Sequence, residues 1–139
     1  MLRDETFDIV HQPVSTCYVP SIVKVYEEIA RVLRDGGLYI SQHKQPATLQ
    51  ATLQPLPDGR GYPVTERCDR TGPLPPVHAE CEHRELGTIE YLHRWQDLLG
   101  GLCRTGFVIE DVVEPNHANP AAEPGTMGHR ACYLPPFIA

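Results

Sequence analysis

Apolar positions along this chain follow two distinct periods, separated by long stretches with none. Phe7-Asp8-Ile9-Val10-His11-Gln12 is a short, mostly apolar run closed by Pro13, which predicts a buried strand. After a loop over 14–20, Ser21 stands as an N-cap for a helix. Ile22, Val25, Tyr26, Ile29, Val32 and Leu33 then recur at helical spacing, with Lys24, Glu27, Glu28, Arg31 and Arg34 on the opposite face. Gly36-Gly37 supplies the left-handed stop, and Leu38-Tyr39-Ile40-Ser41 reads as a second buried strand. Strand, helix, glycine turn and strand make a βαβ unit, whose two strands run parallel.

Periodicity disappears over 44–87, where seven prolines and Gly59, Gly61 and Gly72 interrupt every pattern. A stretch that long inside a compact domain is expected to be a lid or binding loop, with a short turn or strand over 45–53. Regularity returns with Ile89, Leu92, Trp95, Leu98, Leu99 and Leu102, one face of a helix over 88–106. Gly100-Gly101 inside it costs about 1 kcal/mol per glycine relative to alanine, which implies a kink or close packing there. Phe107 to Glu114 reads as a third strand and Arg130 to Leu134 as a final one.

A length of 139 residues suits one compact domain. Twelve Lys+Arg against 18 Asp+Glu leave a net charge of -6, which excludes a general nucleic-acid binder. No apolar run approaches the roughly 20 residues that cross a bilayer, and the N-terminal residues do not form a secretory signal. Five scattered cysteines without a Cys-x-x-Cys pair fit free thiols in a cytoplasmic, reducing setting. Cys103 and Cys132, in apolar contexts, are expected in the core.

Gly59-Arg60-Gly61 follows no strand and opens no helix, so it is a turn and not a dinucleotide fingerprint. His78-Ala79-Glu80-Cys81-Glu82-His83, with Cys68 as a fourth ligand, offers the residue types zinc accepts, but in no established finger spacing. No Ser/His/Asp or Cys/His nucleophile arrangement is marked. Glu110-Asp111 are neighbours along a strand and point to opposite faces. Position is more informative. In an open α/β sheet ligands bind beyond the carboxyl ends of the strands. That places His11, Gln12 and Pro13 at one mouth, Ser41, Gln42 and His43 at the next, and Tyr18 within reach of both.

Three segments carry a family resemblance: Asp4-Glu5-Thr6-Phe7-Asp8-Ile9-Val10, Cys17-Tyr18-Val19 and Glu28 to Leu38. They resemble the class I S-adenosylmethionine-dependent methyltransferases, most closely the methyltransferase type 11 branch. The Glu-x-x-Arg-x-Leu-x-x-Gly-Gly pattern is held by Glu28, Arg31, Leu33, Gly36 and Gly37, with Asp35 where proline is usual. Residues 83–115 resemble the family's next helix and sixth strand, and 131–137 its seventh. The resemblance implies a Rossmann-like α/β fold and methyl transfer from S-adenosylmethionine to a small molecule. It sets His11, Gln12 and Pro13 beside the cofactor, His43 as general base with Tyr18 beside it, and 44–87 as the lid.

The family's glycine-rich loop and ribose-binding acid have no counterpart in these residues. The sequence therefore reads as one partial domain over 1–139, the C-terminal half of such a fold. Its unpaired strand edge calls for a homodimer or a partner chain. A non-catalytic remnant that persists by pairing, and a metal-binding protein using His78, Cys81 and His83, are the rival readings.

Overall fold

The computed structural model describes residues 2–79 and 81–139, so Glu80 of the Cys/His-rich run lies outside it. Its first unit has the expected order, but Gly36-Gly37 does not stop the helix: the glycines lie inside the second strand, which starts five residues earlier than the sequence suggests. β1 (Phe7–Gln12), helix α1 (Ile22–Val32) and β2 (Leu33–Ser41) follow in order, and the two strands pair in parallel. Ser21 is the N-cap by position, although its side chain caps nothing. The helix stops at Val32 because Leu33 is already extended.

The pairing is broken once. Phe7 sits opposite Leu33 and Ile9 opposite Leu38, so residues 34–37 bulge out against Asp8 alone. Gly36 takes a φ of 74°, which favours glycine. A Cβ on Gly37 would meet the Arg34 carbonyl oxygen at 2.8 Å and that of Asp8 at 3.2 Å. Only glycine lets the bulge fold back this tightly.

One face of this two-stranded sheet is covered. Ile22 and Tyr26 of α1 pack with Leu98 and Leu102 of α3 (Trp95–Arg104), and Tyr39, Phe107 and Ile109 close around them. Tyr26 is fully buried and donates its hydroxyl to the Leu98 carbonyl at 3.0 Å. Gly101 faces that ring, where a Cβ would come within 3.2 Å. Gly101 thus serves close helix packing, whereas a Cβ on Gly100 would meet only the Arg104 side chain of its own helix. The other face, with Ile9, Leu38 and Ile40, is exposed, so the two strands are buried on one side only and not on both as their apolar runs suggest.

The remainder departs from the sequence expectation in three places. α3 begins at Trp95 and not at 88, because the preceding backbone is engaged elsewhere. Leu74 N–H donates to Glu90 O, and Tyr91 N–H to Cys17 O, at 2.7 Å each. Residues 107–112 keep a strand's alternation, with Phe107 and Ile109 inward and Val108 outward, but none joins a ladder. Residues 130–134 are not a strand. Thr126 caps a short helix, α4 (Met127–Ala131), by accepting from His129 N–H, and the final strand β4 is Phe137–Ile138. It pairs antiparallel with β3 (His43–Lys44), the continuation of β2 past Gln42.

Cys103 and Cys132 are exposed and not in the core: Leu98 and Leu102 occupy the inward face of α3, and Cys132 lies at the C-terminal cap of α4, where Arg130 and Ala131 are the buried residues; all five thiols are free. The 44–87 stretch holds helix α2 (Pro46–Gln50) and two isolated bridges, Ala51 to Val64 and Pro73 to Tyr91. Arg130 is buried and fastens α2. Its guanidinium donates to the Thr48 hydroxyl and to the carbonyls of Thr48, Ala51 and Thr52. The Thr48 and Ala51 carbonyls are free ones at the C-terminal end of α2, the negative end of the helix dipole, and Thr52 lies just beyond it. Among the described residues, no helix is long and apolar enough to cross a membrane.

Candidate active site

The parallel register brings the two strand mouths together. Gln12 lies opposite Ser41, and Gln42 N–H donates to the Gln12 carbonyl at 3.1 Å. Gln12 is fixed from both ends of its amide, donating to Ser15 Oγ at 3.1 Å and accepting from the Tyr39 hydroxyl at 2.5 Å. His11 and Pro13 flank it at the exposed rim.

His43 sits beneath this rim, only 3% exposed. Its Nδ1 lies 2.9 Å from the hydroxyl of Thr16, in the 3-10 turn Thr16–Tyr18, and its Nε2 lies 2.9 Å from Ser41 Oγ. Burial, with a further contribution from His93, pushes its pKa down to about 4, so the ring is neutral at physiological pH. His93 bonds the Thr16 carbonyl through Nε2 at 2.9 Å, which fixes the turn from below. It too is shifted down by burial.

Tyr18 points the other way. Its hydroxyl donates to Glu85 Oε1 at 2.7 Å, and its ring lies 5.9 Å from the Lys44 ammonium. Burial and the Glu85 carboxylate both raise its pKa. Lys44 donates to Glu90 Oε1 at 2.5 Å, and Arg84 Nε donates to Glu90 Oε2 at 2.5 Å. Glu90 is completely buried, so one carboxylate holds two cations and ties 83–90 to β3. Cys17 is buried beside this group, with its thiol pKa raised by burial.

The five residues singled out from sequence therefore divide into two sets. His11, Gln12 and Pro13 share one rim with Ser41, whereas His43 and Tyr18 lie on opposite sides of the 3-10 turn. The Cys/His-rich run does not converge. His78 is exposed, Cys81 Sγ donates to Arg84 O, and His83 is buried with neither ring nitrogen hydrogen-bonded among the described residues. Among the described residues, no group of three His, Cys, Asp or Glu could hold a metal ion. Thr16 and His93 escaped sequence reading because both lie far in sequence from His43.

Fold and strand-end placement define an α/β chain with the Rossmann-like architecture of class I methyltransferases. An S-adenosylmethionine-dependent methyltransferase from Mesorhizobium loti superposes with a TM-score of 0.70 at 20% identity, covering 99% of this chain and 62% of that one. One from Listeria monocytogenes described in the same terms superposes at 0.62, with 17% identity and coverages of 99% and 61%.

The model of the methyltransferase domain family matches residues 1–41, the β1–α1–β2 unit. An uncharacterized methyltransferase of Bacillus subtilis, YbaJ, is 25% identical over 119 residues, which is 82% of this chain and 45% of that protein. Methyltransferase phqN of Penicillium fellutanum is 50% identical over 36 residues, which is 26% of this chain and 11% of that protein. The chain thus spans less than half of the curated relatives it matches.

The strand mouths fit such a cofactor in part. His11 and Gln12 offer polar groups at the rim, but no Asp or Glu follows either strand over 11–20 or 41–50 to bind ribose hydroxyls. The Gly59-Arg60-Gly61 turn is closed on itself by Gly59 N–H to Leu56 O, far in sequence from either mouth.

Proposed function

We propose that this chain is the acceptor-side, C-terminal part of a class I methyltransferase that methylates a small molecule, with S-adenosylmethionine as donor. The observation that carries the reading is the family match over residues 1–41, the unit whose strand ends bear the polar cluster. S-adenosylmethionine, when bound, supplies the methyl group. In this reading His11, Gln12 and Pro13 face the cofactor and His43 serves the acceptor side, with Tyr18 acting from the far side of the 3-10 turn, where Glu85 holds its hydroxyl.

His43 is neutral and in contact with Ser41 Oγ, so it takes a proton through the Ser41 hydroxyl. The 44–87 stretch is the lid, fastened by Glu90 and Arg130. In this reading a second copy of the chain or a partner chain covers the unpaired edge of β1. The five free thiols support a cytoplasmic setting.

Calorimetric titration of the chain with S-adenosylhomocysteine tests this. Each missing charged hydrogen bond costs about 1.5–3 kcal/mol, or roughly ten- to a hundredfold in affinity. Saturable heat that is weaker than a complete site gives is therefore expected. A folded sample without saturable heat at millimolar ligand overturns cofactor binding by this chain.

A further inference from the structure

Beyond methyl transfer, Ser41, His43 and Thr16 form a hydrogen-bonded series of a kind that activates a nucleophile. The requirement is a nucleophile within hydrogen-bond reach of a base, with that base oriented by a third group. Here Ser41 Oγ lies 2.9 Å from His43 Nε2, and His43 Nδ1 lies 2.9 Å from Thr16 Oγ1. With the imidazole proton on Nδ1, donated to Thr16, Nε2 is free to accept from the Ser41 hydroxyl. Thr16 is itself fixed, being buried and bonded through its carbonyl to His93.

Two further features belong with this series. The first is space. Ser41 and His43 both line a cavity of about 810 Å3 between β2 and the unpaired 107–112 segment, with Tyr39, Leu102 and Phe107 among its apolar walls. The second is a donor. Gln42 N–H bonds β1 at Gln12, and Gln45 N–H bonds the opposite side at Pro136 O. Amides of the same parity as Gln45, including that of Ser41, therefore point away from β1 toward the cavity. In that stretch the Ser41 N–H has no backbone partner among the described residues. A nucleophile's own N–H aimed at the attacked carbonyl is one donor of an oxyanion hole.

We propose that Ser41 is an acylatable nucleophile toward small carboxylic esters with an apolar acyl group, with His43 as its base and Thr16 as the positioning residue. Ser41 Oγ adds to the ester carbonyl carbon as its proton passes to His43 Nε2. The C–O bond to the alcohol breaks, and the departing alkoxide takes that proton. Water then attacks the acyl–Ser41 ester by the same route, releasing the carboxylic acid and restoring the serine. Nothing in this sequence uses a cofactor, so its test is independent of S-adenosylmethionine binding.

The test is reaction of the full chain with an alkyl fluorophosphonate, which phosphonylates an activated serine and releases fluoride, followed by intact-mass and peptide mass spectrometry. One adduct is expected, at Ser41, absent in Ser41→Ala. His43→Gln is expected to slow labelling by about 100-fold or more, the usual worth of a positioned base. Thr16→Val, which keeps the side-chain shape, is expected to slow it less while leaving the circular dichroism spectrum unchanged. The wild-type rate should be flat above about pH 6 and fall toward pH 4, the range set by the His43 pKa of about 4. No adduct at Ser41, or undiminished labelling of Ser41→Ala, would overturn the proposal. So would a rate independent of both His43 and Thr16.

Discussion

Glu90→Gln isolates the energetics of the buried ion triad. The carboxylate is completely buried and holds Lys44 and Arg84 at 2.5 Å each, and the Lys44 and Arg84 side chains are only 8% and 11% exposed. Replacing the carboxylate with an amide keeps the shape but leaves two cations without their counter-charge. It also turns one acceptor into a donor facing a donor. Breaking a buried pair in this way costs about 3–5 kcal/mol, against a total stability of about 5–15 kcal/mol for a domain of ordinary size.

At roughly 3–4 °C per kcal/mol for a chain of this length, Tm should fall by about 10–20 °C. Urea unfolding followed by circular dichroism, with scanning calorimetry, measures both quantities. The triple variant Lys44→Met, Arg84→Met, Glu90→Leu removes all three charges and should recover most of the loss, because apolar replacement of a buried ionic group is often neutral. A loss below about 1 kcal/mol in Glu90→Gln, at unchanged m-value, would refute the reasoning. It would mean that solvent already screens the triad.

Three further outcomes follow from the geometry. Gly37→Ala should cost more than Gly36→Ala by urea denaturation: at Gly37 the new Cβ meets two backbone oxygens, whereas at Gly36 nothing lies within 4 Å and only the positive φ, about 1–2 kcal/mol, is strained. Gly101→Ala should destabilise despite alanine's gain of about 1 kcal/mol in helix propensity, since the Tyr26 ring 3.2 Å away is buried and held by its hydroxyl; an increase in Tm would contradict this.

His43 and His83 both have folded pKa values pushed down to about 4 from 6.5, chiefly by burial, so the unfolded chain binds protons first as pH falls. Stability should be complete above about pH 6.5 and decline between there and pH 4, by at most about 1.4 kcal/mol per pH unit for each histidine. A urea midpoint unchanged from pH 7 to 4.5 would rule this out.

The βαβ unit is legible because its signals are local: two short apolar runs, a 3.6-residue period between them and a proline after the first strand; the glycine pair misleads, because what it serves is a bulge set by pairing with Asp8 and not the helix end. What was not legible depends on distant partners. Residues 88–94 carry a helical pattern, yet Glu90 and Tyr91 are drawn off by Leu74 and Cys17. Residues 107–112 have a strand's alternation but no neighbour, because alternation specifies which face is buried and not which edge is paired. Arg130 to Leu134 is a strand by the sequence expectation, but the Thr126 cap starts a helix at Met127 that takes in Arg130 and Ala131. The same limit applies to the site. Period 2 along a strand places Ser41 and His43 side by side, but nothing local announces that Thr16 will complete the series.

The seating of Arg130 on α2 has a consequence for how the chain folds as it is made. α2 has five residues, too few to be helical alone, and its terminal carbonyls are satisfied by a side chain that lies 82 residues later than Thr48. At about 5–20 residues per second of synthesis, that delay is roughly 4–16 s. During this interval the βαβ unit has already been synthesised, while 46–52 waits as exposed, extended polypeptide. Ribosome-bound intermediates arrested before residue 130 should thus be cut by protease within 46–52, whereas those arrested well after it should be protected there.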